Sequence, residues 1–388
     1  MINLLLAVIY VAFISLGLPD ALLGAAWPVI YPQFGVPVAS AGVVSMIIAC
    51  GTIFSSLMTG KIAPKLGTGR LTAVSVATTA AALLGFSLSA KFWHLCLWAV
   101  PYGLGAGSVD ACLNNYVATN YASRHMSWLH CMWGIGAATG PYIMGFVLTG
   151  GLSWNMGYCF IGIFQVVLTC VLLLSLKLWK NPVTEDTGAK QSAQLLKVIR
   201  QKGVIWAMVS FFCYCAAEQT AMLWSGSYLV LHCGMEEKTA AFFAGMFLVG
   251  ITAGRFVCGF LTFKFSDKTL VRTGVAVVVL GAAVMLLSRT GGGALAGAAM
   301  AGIGCAPVYP CLIHATPANF GMENSQAVIG LQMASANLGV CIGPPLFGLV
   351  AQHISISLMP VYMLVITLVL GFAHETILRG AKGNKNAA

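Results

Sequence analysis

Apolar runs of about 20 residues recur along the whole chain, separated by short breaks of charged, Gly and Pro residues. A helix needs about 20 mostly apolar residues to cross a hydrocarbon core roughly 30 Å thick, so each run is read as a membrane span. The pattern predicts twelve: 4–31, 38–62, 70–90, 93–119, 125–149, 154–178, 203–231, 239–264, 270–288, 292–317, 325–350 and 354–378. No basic region of a cleaved leader precedes the first run, which is therefore read as span one, kept in the mature protein.

Composition agrees. Of 388 residues, 59% are hydrophobic and 8% charged, against roughly a quarter charged in a soluble domain. A net charge of +10 raises the possibility of a nucleic-acid partner. The basic residues, however, are scattered over the connections and form no aromatic-interleaved patch, so none is expected. Sixteen of the twenty Lys and Arg fall in breaks on one predicted side, among them Lys61, Lys65, Arg70, Arg124, Lys264, Lys268 and Arg272; Lys91, Lys238 and Arg289 fall on the other, and Arg255 inside a span. The positive-inside rule places both termini in the cytoplasm. The thirteen cysteines lie nearly all in spans, without metal spacing, and read as reduced small hydrophobes. No metal or cofactor is expected.

The longest polar stretch, Lys180 to Gly203, divides the chain into residues 1–179, a cytoplasmic linker 180–202 with a short surface helix over 191–201, and residues 203–388. The halves repeat each other. A shift of 199 lays GLGAGSVDACLNN at Gly103 on GIGCAPVYPCLIH at Gly302, and also pairs Gly51 with Gly250, Gly60 with Gly259 and Lys65 with Lys264. A further four-residue adjustment lays GPYIMG at Gly140 on GPPLFG at Gly343, and Gly136 on Gly339. The break GKIAPKLGTGR, with Gly60, Lys65, Gly67 and Arg70, permits a tight turn between close-packed helices. Repeat and loop together resemble the major facilitator superfamily. The resemblance implies an all-α membrane protein of twelve transmembrane helices in two six-helix pseudo-symmetric halves, which rock around a site near the bilayer midplane. It also implies a transporter rather than an enzyme, with no cofactor. That family's loop carries an Asp where this chain has Pro64, so the latch built on that Asp is not expected here, while Lys65 and Arg70 remain free to dock on helix ends.

Three acidic residues lie deep in spans: Asp20, Asp110 and Glu218. Each costs at least about 2.5 kcal/mol at the bilayer centre, so each is a candidate for proton coupling or a hydrogen bond pinning two helices. Desolvation favours the neutral acid, which makes such a group able to carry a proton. In DACLNNYVATNY, Asn114 stands one turn from Asp110, followed by Asn115 and Tyr116, and amides beside an acid suit hydroxyl-rich ligands. Here the chain resembles the fucose–galactose–glucose:proton symporter group, whose fourth span carries an acid, then Asn, then Tyr. The acid of that group's first span is matched by Asp20. Span seven resembles relatives in the same group at Tyr214, Glu218, Trp224, Tyr228 and Leu229, and the repeat lays Gln219 opposite Asp20. Trp224 would stack on a sugar face or belong to an interfacial aromatic belt. His130 would bind substrate, relay a proton or cap a helix start. Gln332 and Asn337 lie in the region repeating it, and Tyr309 and His314 repeat Asp110 and Asn115. Arg255 would snorkel to the interface or pair with Glu218 or Asp20. Pro19 and Pro28 are expected to break span one.

These readings converge on a secondary transporter of the bacterial cytoplasmic membrane, a monomer that moves a sugar or similar polar small molecule together with protons. The partners expected are therefore substrate, protons and lipid. A proton-coupled exporter of drugs or metabolites is the alternative, suggested by GIGAATGPYIMG, whose Gly-Pro pattern also reads as close helix packing with a kink. A nutrient sensor on the same fold is a further one. An intramembrane aspartyl protease requires Tyr-Asp and Gly-x-Gly-Asp, whereas Asp20 follows Pro19 and Asp110 follows Val109.

Overall fold

The computed structural model describes residues 4–121, 123–179, 198–201, 203–288 and 290–385. Most of the expected linker 180–202, including 191–197 of its surface helix, lies outside the described residues; Val198, at that helix's far end, is buried. No strand occurs among the described residues; long helices are joined by short connections. That follows from apolar segments in a solvent that cannot satisfy backbone groups, where a helix pairs every interior N–H within itself.

The first span is two helices, Leu4–Gly17 and Leu22–Phe34. The break falls where Pro19 lacks an N–H, and turn bonds from Asp20 N to Gly17 O and from Leu22 N to Pro19 O, each 3.1 Å, bridge it. The expected break at Pro28 is absent: Pro28 and Pro32 both lie inside Leu22–Phe34. Ser40–Leu66 and Thr68–Ser87 meet at Gly67 alone, whose φ of 82° suits a residue without Cβ. Phe92–Asn120, Ser123–Thr149 and Trp154–Leu174 follow, then Val204–Leu231, Glu237–Phe243 with Met246–Leu261, and Asp267–Leu287. Gly291–Cys305 and Val308–His314 are separated at Ala306 and Pro307, after which come Met322–Val350 and Met359–Lys385.

Among the described residues, ten segments are long and apolar enough to span a membrane. The last, Ala327–Arg379, is 53 residues long, about 80 Å of helix and enough for two crossings. Phe92–Asn120 has the length, but Asp110, Asn114, Asn115 and Asn120 dilute its hydropathy. Large apolar side chains such as Phe146, Leu174, Phe256, Phe263 and Phe372 stand exposed, the surface a lipid solvent tolerates.

The helices form two packed units. One comprises Met1–Thr184, Met222–Gly245 and Gln352–Ile354; the other Glu185–Ala221, Met246–Ala351 and Ser355–Ala388. Trp27, Trp154 and Phe13 are enclosed in the first, Phe211, Phe247 and Phe347 in the second.

Within each unit the repeated glycines make the same contacts. A Cβ on Gly103 would stand 2.3 Å from Ile48 O, and one on Gly302 would stand 2.0 Å from Phe247 O; both partners are also 199 residues apart. Gly105 faces Ser75 and Thr79, and Gly304 faces Gly274 and Val278, again at that shift. Gly136 and Gly140 receive Ile14 and Leu18, while Gly339 and Gly343 receive Phe212 and Ala216. Backbone therefore lies on backbone, the close approach that small residues provide between membrane helices.

Candidate functional site

In the first unit, Phe92–Asn120 carries two separate polar features. Asn114 Nδ2 donates to Asp110 Oδ1 at 2.9 Å, and both residues are half-buried. The bond follows from i, i+4 spacing, and the carboxylate fixes which end of the amide faces it. The other end, Asn114 Oδ1, is buried and has no hydrogen-bond partner. Asn115 is exposed and receives Thr119 Oγ1 on its backbone carbonyl at 2.9 Å.

Asp20 is held elsewhere on this helix. Tyr102 Oη donates to its Oδ1 at 3.4 Å and Trp133 Nε1 to its Oδ2 at 2.8 Å. Tyr102 precedes Asp110 by two turns, about 12 Å of rise along the helix. The Trp133 bond depends on Gly17, whose missing Cβ lets the backbone of Trp133 and Ala137 close on span one. His130, one turn before Trp133, is exposed and meets Phe13 edge-on at 6.0 Å. Neither Tyr102 nor Trp133 was marked by the sequence reading. The usable signal for Trp133 was its i, i+3 spacing from His130.

In the second unit, Glu218 is 7% exposed and accepts from Tyr214 Oη at 3.3 Å. Arg255 Nη2 lies 3.6 Å from its Oε1, so Arg255 turns inward to a partner and does not snorkel. Tyr309 packs its ring on Phe211 and Tyr214 at 5.3 and 5.6 Å and donates to Met333 Sδ at 3.2 Å. Glu218, Arg255, Tyr214 and Tyr309 thus form one cluster, with Gln219 half-buried on the helix of Glu218 and Asn337 half-buried on the helix of Met333.

Three candidates stand apart. Trp224 is fully enclosed by protein and has no surface in an interfacial belt. Gln332 is 2% exposed and its Oε1 is taken by Thr316 Oγ1 at 3.1 Å, a bond within the protein fabric. His314 is exposed and bound through Nδ1 to Asp267 Oδ2 at 2.6 Å, at the C-terminal end of the short helix that carries Tyr309. Of the residues expected in the loop after span two, Gly67 alone lies outside a helix and makes the turn; Gly60, with open space around it, and exposed Lys65 lie within Ser40–Leu66, and exposed Arg70 lies in Thr68–Ser87.

Comparison with known proteins agrees with this architecture. The description of the Major Facilitator Superfamily matches residues 9–313. An uncharacterized transporter, y4wD, of Sinorhizobium fredii is 24% identical over 336 residues, covering 85% of this chain and 87% of that protein. An uncharacterized MFS-type transporter, YcaD, of Escherichia coli is 24% identical over 328 residues, covering 82% and 81%. A bacterial homolog of the human lysosomal transporter Spinster, solved inward-facing, superposes with a TM-score of 0.75 at 13% identity over 97% of this chain and 96% of that one. The nucleoside transporter NupG gives 0.75 at 14% identity over 97% and 99%. These structures share the fold. The protein is an integral, multi-pass membrane transporter of small molecules and not an enzyme, and it belongs to the Major Facilitator Superfamily.

Proposed function

We propose that the protein is a proton-coupled symporter of a sugar or similar hydroxyl-rich solute, working by alternating exposure of its binding groups to the two sides of the membrane. The observation that carries this reading is the Asp110–Asn114 pair, whose amide oxygen is buried without a partner. A buried acceptor left open is costly, and a solute hydroxyl placed there would satisfy it while accepting from or donating to the neighbouring carboxyl. Proton loading would change that carboxyl from a pure acceptor to a donor, which links solute binding to protonation. Asp20, with its Tyr102 and Trp133 donors, and Glu218, with Arg255, are the further coupling candidates. In the same reading the chain works as a monomer in a bacterial cytoplasmic membrane, as two six-span halves, 1–179 and 203–388, with both termini in the cytoplasm.

The test is transport in proteoliposomes with labelled hexoses, pentoses and, because NupG is a nucleoside transporter, nucleosides. Uptake with an inward proton gradient and external alkalinisation is expected. Asp110→Asn should abolish proton-driven accumulation while leaving exchange of preloaded solute, and Asn114→Ala should weaken solute binding by about tenfold, the loss of one hydrogen bond. Unchanged accumulation in Asp110→Asn would overturn the role of Asp110. Acid-driven extrusion of dyes with no exchange of any hydroxylated solute would favour the exporter.

A further inference from the structure

Three segments of the second unit, Met246–Leu261, Asp267–Leu287 and the chain around Pro307, enclose an apolar groove of about 190 Å³. Its lining includes Gly254, Val257, Gly274, Ile303 and Pro307; among the described residues no charged side chain lines it, and Thr273 supplies its one hydroxyl. The helices meet through glycine: a Cβ on Gly254 would stand 3.0 Å from Ile303 O, and one on Gly274 would stand 2.6 Å from Gly304 O. Glycine lets helices close up and projects nothing into the space beside the contact. The first half differs at the same positions. There, 199 residues earlier, Phe54 stands for Ala253, Ser75 for Gly274, and Ser108, which accepts from Thr59 Oγ1 at 3.4 Å, for Pro307. The groove opens on exposed apolar surface, where Val257 and Ile303 stand.

Leu261 and Leu270, both in the lining, flank the connection 262–266. Turn bonds from Lys264 N to Leu261 O and from Leu270 N to Ser266 O, each 3.0 Å, hold that connection against the end of the groove. Within it Phe263 and Phe265 are 86% and 49% exposed, and Lys264 stands exposed between them; Lys268 is half-buried at the start of the next helix. Rings that face lipid beside an ammonium that reaches water mark the depth of the phospholipid headgroups. The neighbouring charges are taken, Asp267 Oδ2 by His314 Nδ1 at 2.6 Å and Arg272 by Glu375. Among the described residues Lys264 and Lys268 are in no ion pair. From Ala253 to Leu261 the wall runs about 12 Å along its helix, close to the roughly 15 Å of hydrocarbon in one leaflet.

We propose that the groove holds one acyl chain of an anionic phospholipid whose headgroup sits on Lys264 and Lys268. Chain and charge are recognised together. A groove left unfilled forfeits dispersion contacts along its wall, and a thin flexible chain is the part of the surrounding solvent that fits it. Two lysines outside any ion pair at its mouth favour a net negative headgroup, about fivefold for each lysine. Phosphatidylcholine carries the same chains and the same phosphate, but its choline cancels the charge, so the lysines discriminate against it.

The test is native mass spectrometry of the full-length protein in detergent with equal amounts of dioleoylphosphatidylglycerol and dioleoylphosphatidylcholine. Phosphatidylglycerol should be retained about 25-fold over phosphatidylcholine, and Lys264→Gln and Lys268→Gln should each cut that preference about fivefold. Ala253→Phe, at an exposed position where the first half has Phe54, should lower retention of both lipids by filling the groove. In the unaltered protein, phosphatidylglycerol carrying a mid-chain diazirine should label Met246–Leu261 ahead of exposed apolar sites such as Leu174 and Phe372. Equal retention of the two lipids, or an unchanged preference in both lysine variants, would overturn the headgroup assignment. Retention of chain-free glycerophosphoglycerol as strong as that of the whole lipid, or label spread evenly over the apolar surface, would overturn the groove. A dimer that carries no lipid would give the groove to a second copy of the chain and sink the proposal.

Discussion

Arg255→Ala separates a buried ion pair from a snorkelling arginine. In the structure Arg255 Nη2 stands 3.6 Å from Glu218 Oε1, with the two side chains 19% and 9% exposed. At an effective dielectric of about 20, unit charges at that distance attract by about 4.6 kcal/mol. Desolving both groups offsets much of this, so the pair itself adds little net stability. Removing one partner is different, because it strands the other in a low dielectric at about 3–5 kcal/mol. Arg255→Ala should therefore destabilise strongly, and adding Glu218→Gln should restore at least about 2 kcal/mol, since the neutral amide no longer needs a cation and can still accept from Tyr214. The assay is thermal unfolding of the three purified proteins in detergent, followed by size exclusion and tryptophan fluorescence. The expected order is wild type, then the double variant, then Arg255→Ala. A single variant as stable as wild type, or a double variant no better than the single, would refute the pairing and return Arg255 to the interface.

Other outcomes follow from the packing. Gly103→Ala and Gly302→Ala place a Cβ 2.3 and 2.0 Å from carbonyl oxygens and should each cost about 1–3 kcal/mol or more, whereas Gly60→Ala and Gly259→Ala, with open space around them, should change stability by less than about 1 kcal/mol; the same unfolding assay orders them. Trp133→Phe removes the 2.8 Å bond to Asp20, a charge-assisted contact of about 1.5–3 kcal/mol, and should lower proton-driven accumulation about tenfold at unchanged expression. An unchanged accumulation ratio in proteoliposomes would remove Asp20 from coupling.

What could be read from the sequence was whatever a local rule controls. Apolar run length marked the helices, Pro19 marked the break that carries Asp20, and the glycines between 60 and 70 marked a tight turn, which the structure narrows to Gly67. Pro28 shows the limit, because a proline breaks a helix only where no surrounding contact holds the turn, and here the helix continues through it. Asp110 with Asn114 was legible since i, i+4 spacing forces the meeting. The partners of Asp20 were not, because they lie 82 and 113 residues away and meet it only when helices pack. The surroundings of Trp224, Gln332 and His314 were not legible for a related reason. A polar or aromatic residue in a span has the same local pattern whether it faces a solute path, another helix or the end of its own helix, and only tertiary contact decides.

The internal repeat supplies part of that missing tertiary information. Where both copies keep the same residue type and the same contact, as at Gly103 and Gly302 or Gly105 and Gly304, the common cause is the fold, and substitutions there should act on stability. Where the copies diverge, packing alone does not explain the choice. Asp110 repeats as Tyr309, which joins the Glu218 cluster through Tyr214. Ser56, which donates to Gly107 O at 3.1 Å in the helix ladder, repeats as Arg255, the partner of Glu218. Thr59 in the same ladder repeats as Cys258. One stripe of helix thus holds two helices together by hydroxyls in the first half and carries a charge and a thiol in the second. A charge inside a membrane protein is retained at a cost in stability, so substitutions at the divergent positions, more than at the shared ones, should alter transport in proteoliposomes beyond any effect on stability.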